Sequence, residues 1–259
     1  MNTIGFIPCR MNSSRYPGKP LAPILGTSMI EHVYRRSAMS KKLDALYIVT
    51  CDDEIRESAL VFGAKVIMTK DTHERATDRI AEALTKVEKT DKKKVGIAVM
   101  IQGDEPLIFP EMIDAAIDPV RGGKGIKVTN LMAPLKTKEE QDDPNEIKVV
   151  VDLNDFALFF SREPIPTRTR LKERVTFLKQ VCIFAFKRDF LLEYTRMSPT
   201  PLEITESIDM LRILEHGKKV KMVRTPYETY SVDTPQDRSE VEKLMKKDPV
   251  YLRYKKYLL

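Results

Sequence analysis

Apolar positions come in short runs parted by charged stretches, and the spacing within the runs is of two kinds. Ile4, Phe6 and Ile7 open the chain with the pattern of a buried strand. Over residues 28–39, Met29, Ile30, Val33 and Tyr34 share one helical face. Residues 45–50 form a second apolar run, and Asp52 stands as the N-cap of a helix reaching about residue 62. A short third strand is expected over 65–68. Ile80, Ala81 and Leu84 then mark a helix over 77–87. Residues 95–101, VGIAVMI, are the most continuously apolar run and predict a strand central in the sheet. Strands alternating with helices of this kind predict a right-handed, doubly wound α/β sheet.

The rhythm changes from residue 126. Strands are expected over 127–132, 147–152 and 157–161, and an extended loop rich in proline and arginine over 161–174. A strand over 177–186, helices over 188–194 and 203–216, a strand over 220–223 and a helix over 235–246 follow. The basic, tyrosine-bearing tail, 251–259, is expected to dock on the body or on a partner. The chain reads as a single domain, 1–259, with about 126–190 as an inserted β-rich lobe.

Composition narrows the class. With 259 residues, 42% hydrophobic and 32% charged, the chain has the make-up of a globular protein with a sizeable core. The net charge of +6 is spread among interspersed acids and bases, which suits an anionic small substrate and gives no basic stripe for nucleic acid. Cys9, Cys51 and Cys182 are scattered and form neither a disulfide framework nor a metal spacing. With no membrane-length apolar segment and no signal peptide, a cytoplasmic protein is expected.

Four stretches carry candidate chemistry. Directly after the first strand, Arg10, Asn12, Ser13, Ser14, Arg15, Gly18 and Lys19 supply cations, hydroxyls and a flexible turn for a polyanion. The loop is neither a Walker loop nor a dinucleotide turn. Gln102-Gly103-Asp104-Glu105-Pro106 places a carboxylate at the carboxyl end of the central strand, where open α/β sheets bind ligands. Asp233, before the helix opening at Pro235, is either a second carboxylate for the same cleft or part of a helix cap. Asp104 and Asp233 together suit a hard cation beside phosphate. Thr77 and Arg79 stand at the start of a helix able to offer free N–H groups, with Arg79 alternatively an ion-pair partner of Glu82. His73 is assigned no chemistry. No nucleophile–base set is visible, which points to positioning and charge neutralisation instead of covalent catalysis.

The ordered series PCRMNSSRYPGKPL, HERATDRIAE, QGDEP, DPNEIKVVVD, ALFFSREPIP, PLEITESIDMLR and VDTPQD resembles the acidic-sugar cytidylyltransferases, and among them the 3-deoxy-manno-octulosonate (Kdo) branch. The match runs nearly end to end. It implies a nucleotide-diphospho-sugar transferase fold, Rossmann-like and GT-A-like, with a mixed central sheet and an inserted lobe through which homodimers form. It also implies transfer of CMP from CTP to the anomeric hydroxyl of a Kdo-like 2-keto-3-deoxy acid with Mg²⁺, for lipopolysaccharide or other cell-surface polysaccharide. By position, Pro8, Arg10, Ser14, Arg15, Lys19, Thr77 and Gln102 match nucleotide-binding residues. Asp104 and Asp233 match metal carboxylates, and with Lys19 they form the catalytic set. Arg79, Gln102, Gln180 and Asp209 match sugar-site positions.

The sequence also departs from the pattern. Arg75-Ala76 replaces a Ser-Gly, Gln180 a His, Phe184 a Tyr, and Asp209-Met210 a Glu-Gln pair. Several polar sugar contacts thus differ together, and a changed sugar preference is expected, toward an amino-Kdo or a sialic-acid-like ulosonic acid. The non-catalytic alternative is a nucleotide-binding homologue without turnover.

Overall fold

The structure, a computed structural model, describes residues 2–13, 15–123, 125–169 and 176–258. In chain order the elements are β1 (Thr3–Pro8), a 3-10 turn (Lys19–Leu21), β2 (Pro23–Ile24), β3 (Thr27–Ser28), α1 (Met29–Ser37), β4 (Ala45–Thr50), α2 (Asp53–Val61), β5 (Lys65–Met68), α3 (Ala76–Asp91), β6 (Ile97–Ile101) and α4 (Pro110–Gly122). Then come β7 (Val128–Pro134), α5 (Lys138–Asp142), β8 (Lys148–Val151), β9 (Ala157–Ser161), β10 (Leu178–Lys187), α6 (Arg188–Tyr194), α7 (Pro201–Glu206), α8 (Asp209–Glu215), β11 (Lys221–Arg224), α9 (Pro235–Met245) and α10 (Pro249–Tyr254). Of the loop expected over 161–174, residues 170–174 lie outside the described residues. No helix among the described residues is long and apolar enough to cross a membrane.

The chain divides into two compact units, Met1–Asp114 with Glu228–Leu259, and Ala115–Tyr227. In the first, β1 lies between β4 and β6, and β5 pairs with β4, all in parallel, while the short β2 and β3 form a separate antiparallel pair. Each residue of β1 and of β6 is buried. A parallel strand covered on both faces needs such an unbroken apolar run, and for this reason it was visible in the sequence. The four parallel strands β1, β4, β5 and β6 end on the same side, so the loops after β1 and β6 are neighbours.

The face that α1 buries differs from the expected one. Met29, Ile30 and Val33 are buried, but Tyr34 is only half-buried, and His32 and Arg36 are buried with the apolar residues. Two polar side chains are tolerated there because each is fully engaged. Arg36 donates to the carbonyls of Ile108 (2.6 Å) and Leu107 (2.9 Å) and to Asp248 (2.5 Å). His32 meets the Ile24 carbonyl through Nε2 at 2.8 Å and the Tyr254 hydroxyl through Nδ1 at 2.6 Å. A carbonyl only accepts, so Nε2 carries the proton and Nδ1 accepts from Tyr254. The tail expected to dock on the body or a partner therefore docks on its own unit through α10.

In the second unit, β7 pairs antiparallel with β10 and parallel with β11, while β8 pairs antiparallel with both β10 and β9. The register of β10 slips between Val181 and Phe184, and Asn130 fills the slip by donating to the carbonyls of Val181 (2.7 Å) and Ile183 (3.2 Å). The single helix expected over 203–216 is two, α7 and α8, broken where Ser207 adopts φ 54°. The pair is stapled by a buried fork in which Arg212 donates to Glu203 at 2.6 and 2.7 Å.

Burial pulls the His32 pKa down from 6.5 to about 4. Folding favours neutral imidazole, so the unfolded chain takes up this proton first as pH drops. Unfolding free energy is therefore expected to fall between pH 6.5 and about 4 on this account and to be unaffected above that window. Urea unfolding across it should show a steeper loss for the wild-type chain than for His32→Gln.

Candidate active site

A cleft of about 300 Å³ opens at the strand ends of the first unit. Four segments line it: the loop after β1, the approach to α3, the turn after β6, and the residue before Thr234.

The loop after β1 owes its shape to a few local bonds. Gly18, with φ 73°, reverses the chain, and its N–H reaches the Met11 carbonyl at 2.9 Å. The 3-10 turn that follows carries Lys19. Asp52, expected to cap α2, occupies the N-cap position, but its carboxylate instead accepts the Met11 N–H at 2.8 Å and pins this loop. Gly103 is required for close approach: a Cβ there would sit 3.1 Å from the Pro8 carbonyl oxygen and 3.4 Å from Cys9 Cβ.

At the cleft floor the Lys19 ammonium donates to Asp104 Oδ2 (2.6 Å), Asp233 Oδ1 (3.0 Å) and the Val232 carbonyl (3.1 Å). Two acids distant in the chain thus meet on one cation. Burial lowers the Lys19 pKa, but Asp104 and Asp233 together outweigh it and raise the net value, so the ammonium stays charged at neutral pH. Arg15 reaches the other oxygen of Asp233 at 3.0 Å, with about half its side chain exposed. The Val232 N–H donates to the Asp104 carbonyl at 2.9 Å and locks the two acid-bearing turns together.

Thr234 caps α9: its hydroxyl accepts the Asp237 N–H, and the Asp237 carboxylate accepts the N–H groups of Asp233 and Thr234. The cap therefore belongs to Thr234, which leaves the Asp233 side chain for the cleft. Beneath these turns Ile24, Met29, Leu107, Val232, Val241 and Met245 form one apolar cluster with Tyr16 against it. Its members flank Lys19, Asp104 and Asp233 in sequence, and their shared burial draws the three segments together.

On the opposite wall, Arg79 is 3% exposed and donates to Thr69 Oγ1 (2.7 Å) and the Lys70 carbonyl (3.3 Å). It is not an ion-pair partner of Glu82. That carboxylate takes His73 and, at 2.8 Å, Lys86. His73 lines the cleft, as do Glu74, Arg75 and Ala76. Sequence reasoning passed over His73; its one signal was a carboxylate nine residues on, at Glu82, across the start of a helix. Pro8, Arg10, Arg15, Lys19, Arg79, Gln102, Asp104 and Asp233 of the expected residues line the cleft. Thr77 is fully buried inside the first turn of α3, and Ser14 lies outside the described residues. Gln180 and Asp209 belong to the second unit. There the Gln180 amide donates to Asn130 at 2.7 Å, and the Asp209 carbonyl accepts from Tyr194 at 3.3 Å.

A parallel α/β unit whose strand ends carry a cationic loop facing two acids is the make-up of a nucleotidyl-transferring enzyme. Residues 4–220 match the cytidylyltransferase family, and the chain belongs to it. It is 40% identical to the 3-deoxy-manno-octulosonate cytidylyltransferase of Geobacter metallireducens over 94% of this chain and 98% of that one. The enzyme of the same name from Fusobacterium nucleatum is 40% identical over 96% and 99%. A solved structure of CMP:2-keto-3-deoxy-manno-octonic acid synthetase complexed with CTP superposes with a TM-score of 0.88 at 35% identity, covering 95% and 99% of the two chains. The 4-diphosphocytidyl-2C-methyl-D-erythritol synthase of Anaerococcus prevotii, at 14% identity and TM-score 0.63, shares the fold.

Burial raises the Glu82 pKa, but hydrogen bonds from Lys86, His73 and the Lys70 N–H outweigh it and hold it at about 2. This contribution is present above pH 4.5 and is lost as pH falls from there toward 2. Glu82→Gln is expected to cost about 2 kcal/mol at pH 7, discounted because Lys86 is half exposed. That gap should close below pH 4.5 in denaturant titrations.

Proposed function

We propose that this protein couples CTP to the anomeric hydroxyl of a Kdo-like 2-keto-3-deoxy acid, yielding a CMP-sugar and pyrophosphate. The observation that carries this reading is the junction of Lys19 with Asp104 and Asp233 beside the cationic loop after β1. The likeness to the Kdo cytidylyltransferases along nearly the whole chain supports the same reaction.

The chemistry follows from charge. A triphosphate entering the cleft meets Arg10, Arg15 and Lys19, which offset its negative charge and hold the α-phosphorus in place. The sugar hydroxyl attacks in line: its oxygen bonds to the α-phosphorus, the bond to pyrophosphate breaks, and the hydroxyl proton leaves to solvent. No protein group is consumed. Asp104 and Asp233 are hard oxygen donors close enough to share one cationic centre, and this donor set fits magnesium. Among the described residues no three His, Cys, Asp or Glu side chains gather as a metal site, so phosphate oxygens and water would complete the coordination. Bound there, magnesium would lower the pKa of the attacking hydroxyl and stabilise charge on the phosphate.

Positions in the second unit carry differences from the Kdo pattern. Asn130, oriented by two carbonyls, holds the Gln180 amide nitrogen, while Phe184 and Met210 are buried. An amide stands where the pattern has a histidine, and two apolar side chains without a hydrogen-bond donor stand where it has a tyrosine and a glutamine, which favours a modified acid over Kdo itself. The product would serve cell-surface polysaccharide synthesis in the cytoplasm, and the enzyme would act as a homodimer.

Pyrophosphate release from CTP and Mg²⁺ across a panel of Kdo, amino-Kdo and sialic acids is expected with the 2-keto-3-deoxy octonic acids and at least about tenfold weaker with sialic acids. Nucleotide binding without release from any acid would make the protein a non-catalytic homologue. Full activity with unmodified Kdo alone would remove the shifted preference. Asp104→Asn is expected to lower kcat at least about 100-fold.

A further inference from the structure

Lys19 occupies one oxygen of each carboxylate that a divalent cation would bridge, and Arg15 holds the other oxygen of Asp233. Its nitrogen stands 2.6 Å from Asp104 Oδ2 and 3.0 Å from Asp233 Oδ1, with only 13% of its side chain exposed. A magnesium ion on the same oxygens would sit at about 2.1 Å from each. The ammonium and the ion cannot occupy the space between the two carboxylates together, and two cations in contact repel. Lys19 has three N–H donors, and they go to Asp104, Asp233 and the Val232 carbonyl. It can donate to a phosphate oxygen only by releasing one of these acceptors. Its four-carbon stem lets the nitrogen move while the 3-10 turn stays in place.

We propose that Lys19 competes with the divalent cation for Asp104 and Asp233, and that the triphosphate, by drawing the ammonium onto phosphate oxygens, frees the carboxylates for metal. Nucleotide and metal then bind with positive coupling, each raising the affinity for the other by the same factor. The lysine neutralises the acid pair until a triphosphate arrives, and metal without nucleotide binds poorly. This inference rests on the nucleotide-binding reading of the cleft, and it adds the order in which the charges are exchanged.

Mn²⁺ serves as the probe, with free ion followed by electron paramagnetic resonance on the full-length protein. Without nucleotide, Lys19→Met is expected to bind Mn²⁺ about tenfold more tightly than the wild-type chain. The gain should vanish in K19M/D104N. Thermal unfolding supplies a second readout: K19M should melt lower than wild type in metal-free buffer and gain more from Mn²⁺. Lys19→Gln serves the same comparison if K19M does not fold. Equal Mn²⁺ affinity of wild type and the Lys19 variants, or a gain that survives in K19M/D104N, overturns the proposal. Pyrophosphate release by the wild-type chain, assayed in parallel, separates the two readings. Release with equal affinities defeats the competition alone; a K19M gain without release from any acid defeats nucleotidyl transfer and leaves the competition standing.

Discussion

One ammonium group held between two carboxylates organises the first unit's cleft. Like-charged acids brought this close would repel unless a cation lay between them, and Lys19 supplies it. The contact is partly shielded from water, and removing Lys19 takes from Asp104 and Asp233 the cation they share. The same contact fixes both acid-bearing turns at the floor of the cleft. Stability and chemistry therefore meet in a single triad.

The scaffold keeps that triad in place by two means. Apolar burial gathers the segments: Met29, Leu107 and Val232 belong to different parts of the chain and pack in one cluster beneath the cleft. Directed hydrogen bonds then fix the turns. Arg36 grips the carbonyls of Leu107 and Ile108 a few residues after Asp104, and Asp248 orients Arg36 from the C-terminal segment. α10 also carries Tyr254 onto His32, which donates to the Ile24 carbonyl, and packs Tyr251 against the apolar cluster, so the C-terminal segment supports the floor beneath the cleft.

Much of the fold was legible because its signals are local. β4, β5 and β9 fall where their apolar runs end, and α6 where its helical spacing ends. The misreadings share a cause. Tyr34 has the spacing of a core residue, yet His32 and Arg36 take the buried face because their partners lie over two hundred residues away. The break between α7 and α8 at Ser207 interrupts a pattern that reads as one helix, and the two pieces are held by a buried Glu203–Arg212 fork nine residues apart, a spacing that no single helix face shows. α4 was not among the expected helices, and it carries an internal proline, Pro119.

For the cleft, the residue types and their order were set by the chain alone: a cationic loop after the first strand, an acid after the Ile97–Ile101 strand, a second acid before a capped helix. Motif order carried the family as well. Which atoms meet was decided by folding. That one ammonium answers both Asp104 and Asp233 is a contact between segments remote in sequence, while the Thr234 cap of α9 and the Arg79–Thr69 and His73–Glu82 pairings are local contacts whose choice of partner the packed structure settles. Spacing along a chain specifies which face a side chain takes. Only the packed tertiary structure sets the few-ångström separations on which charge pairing depends.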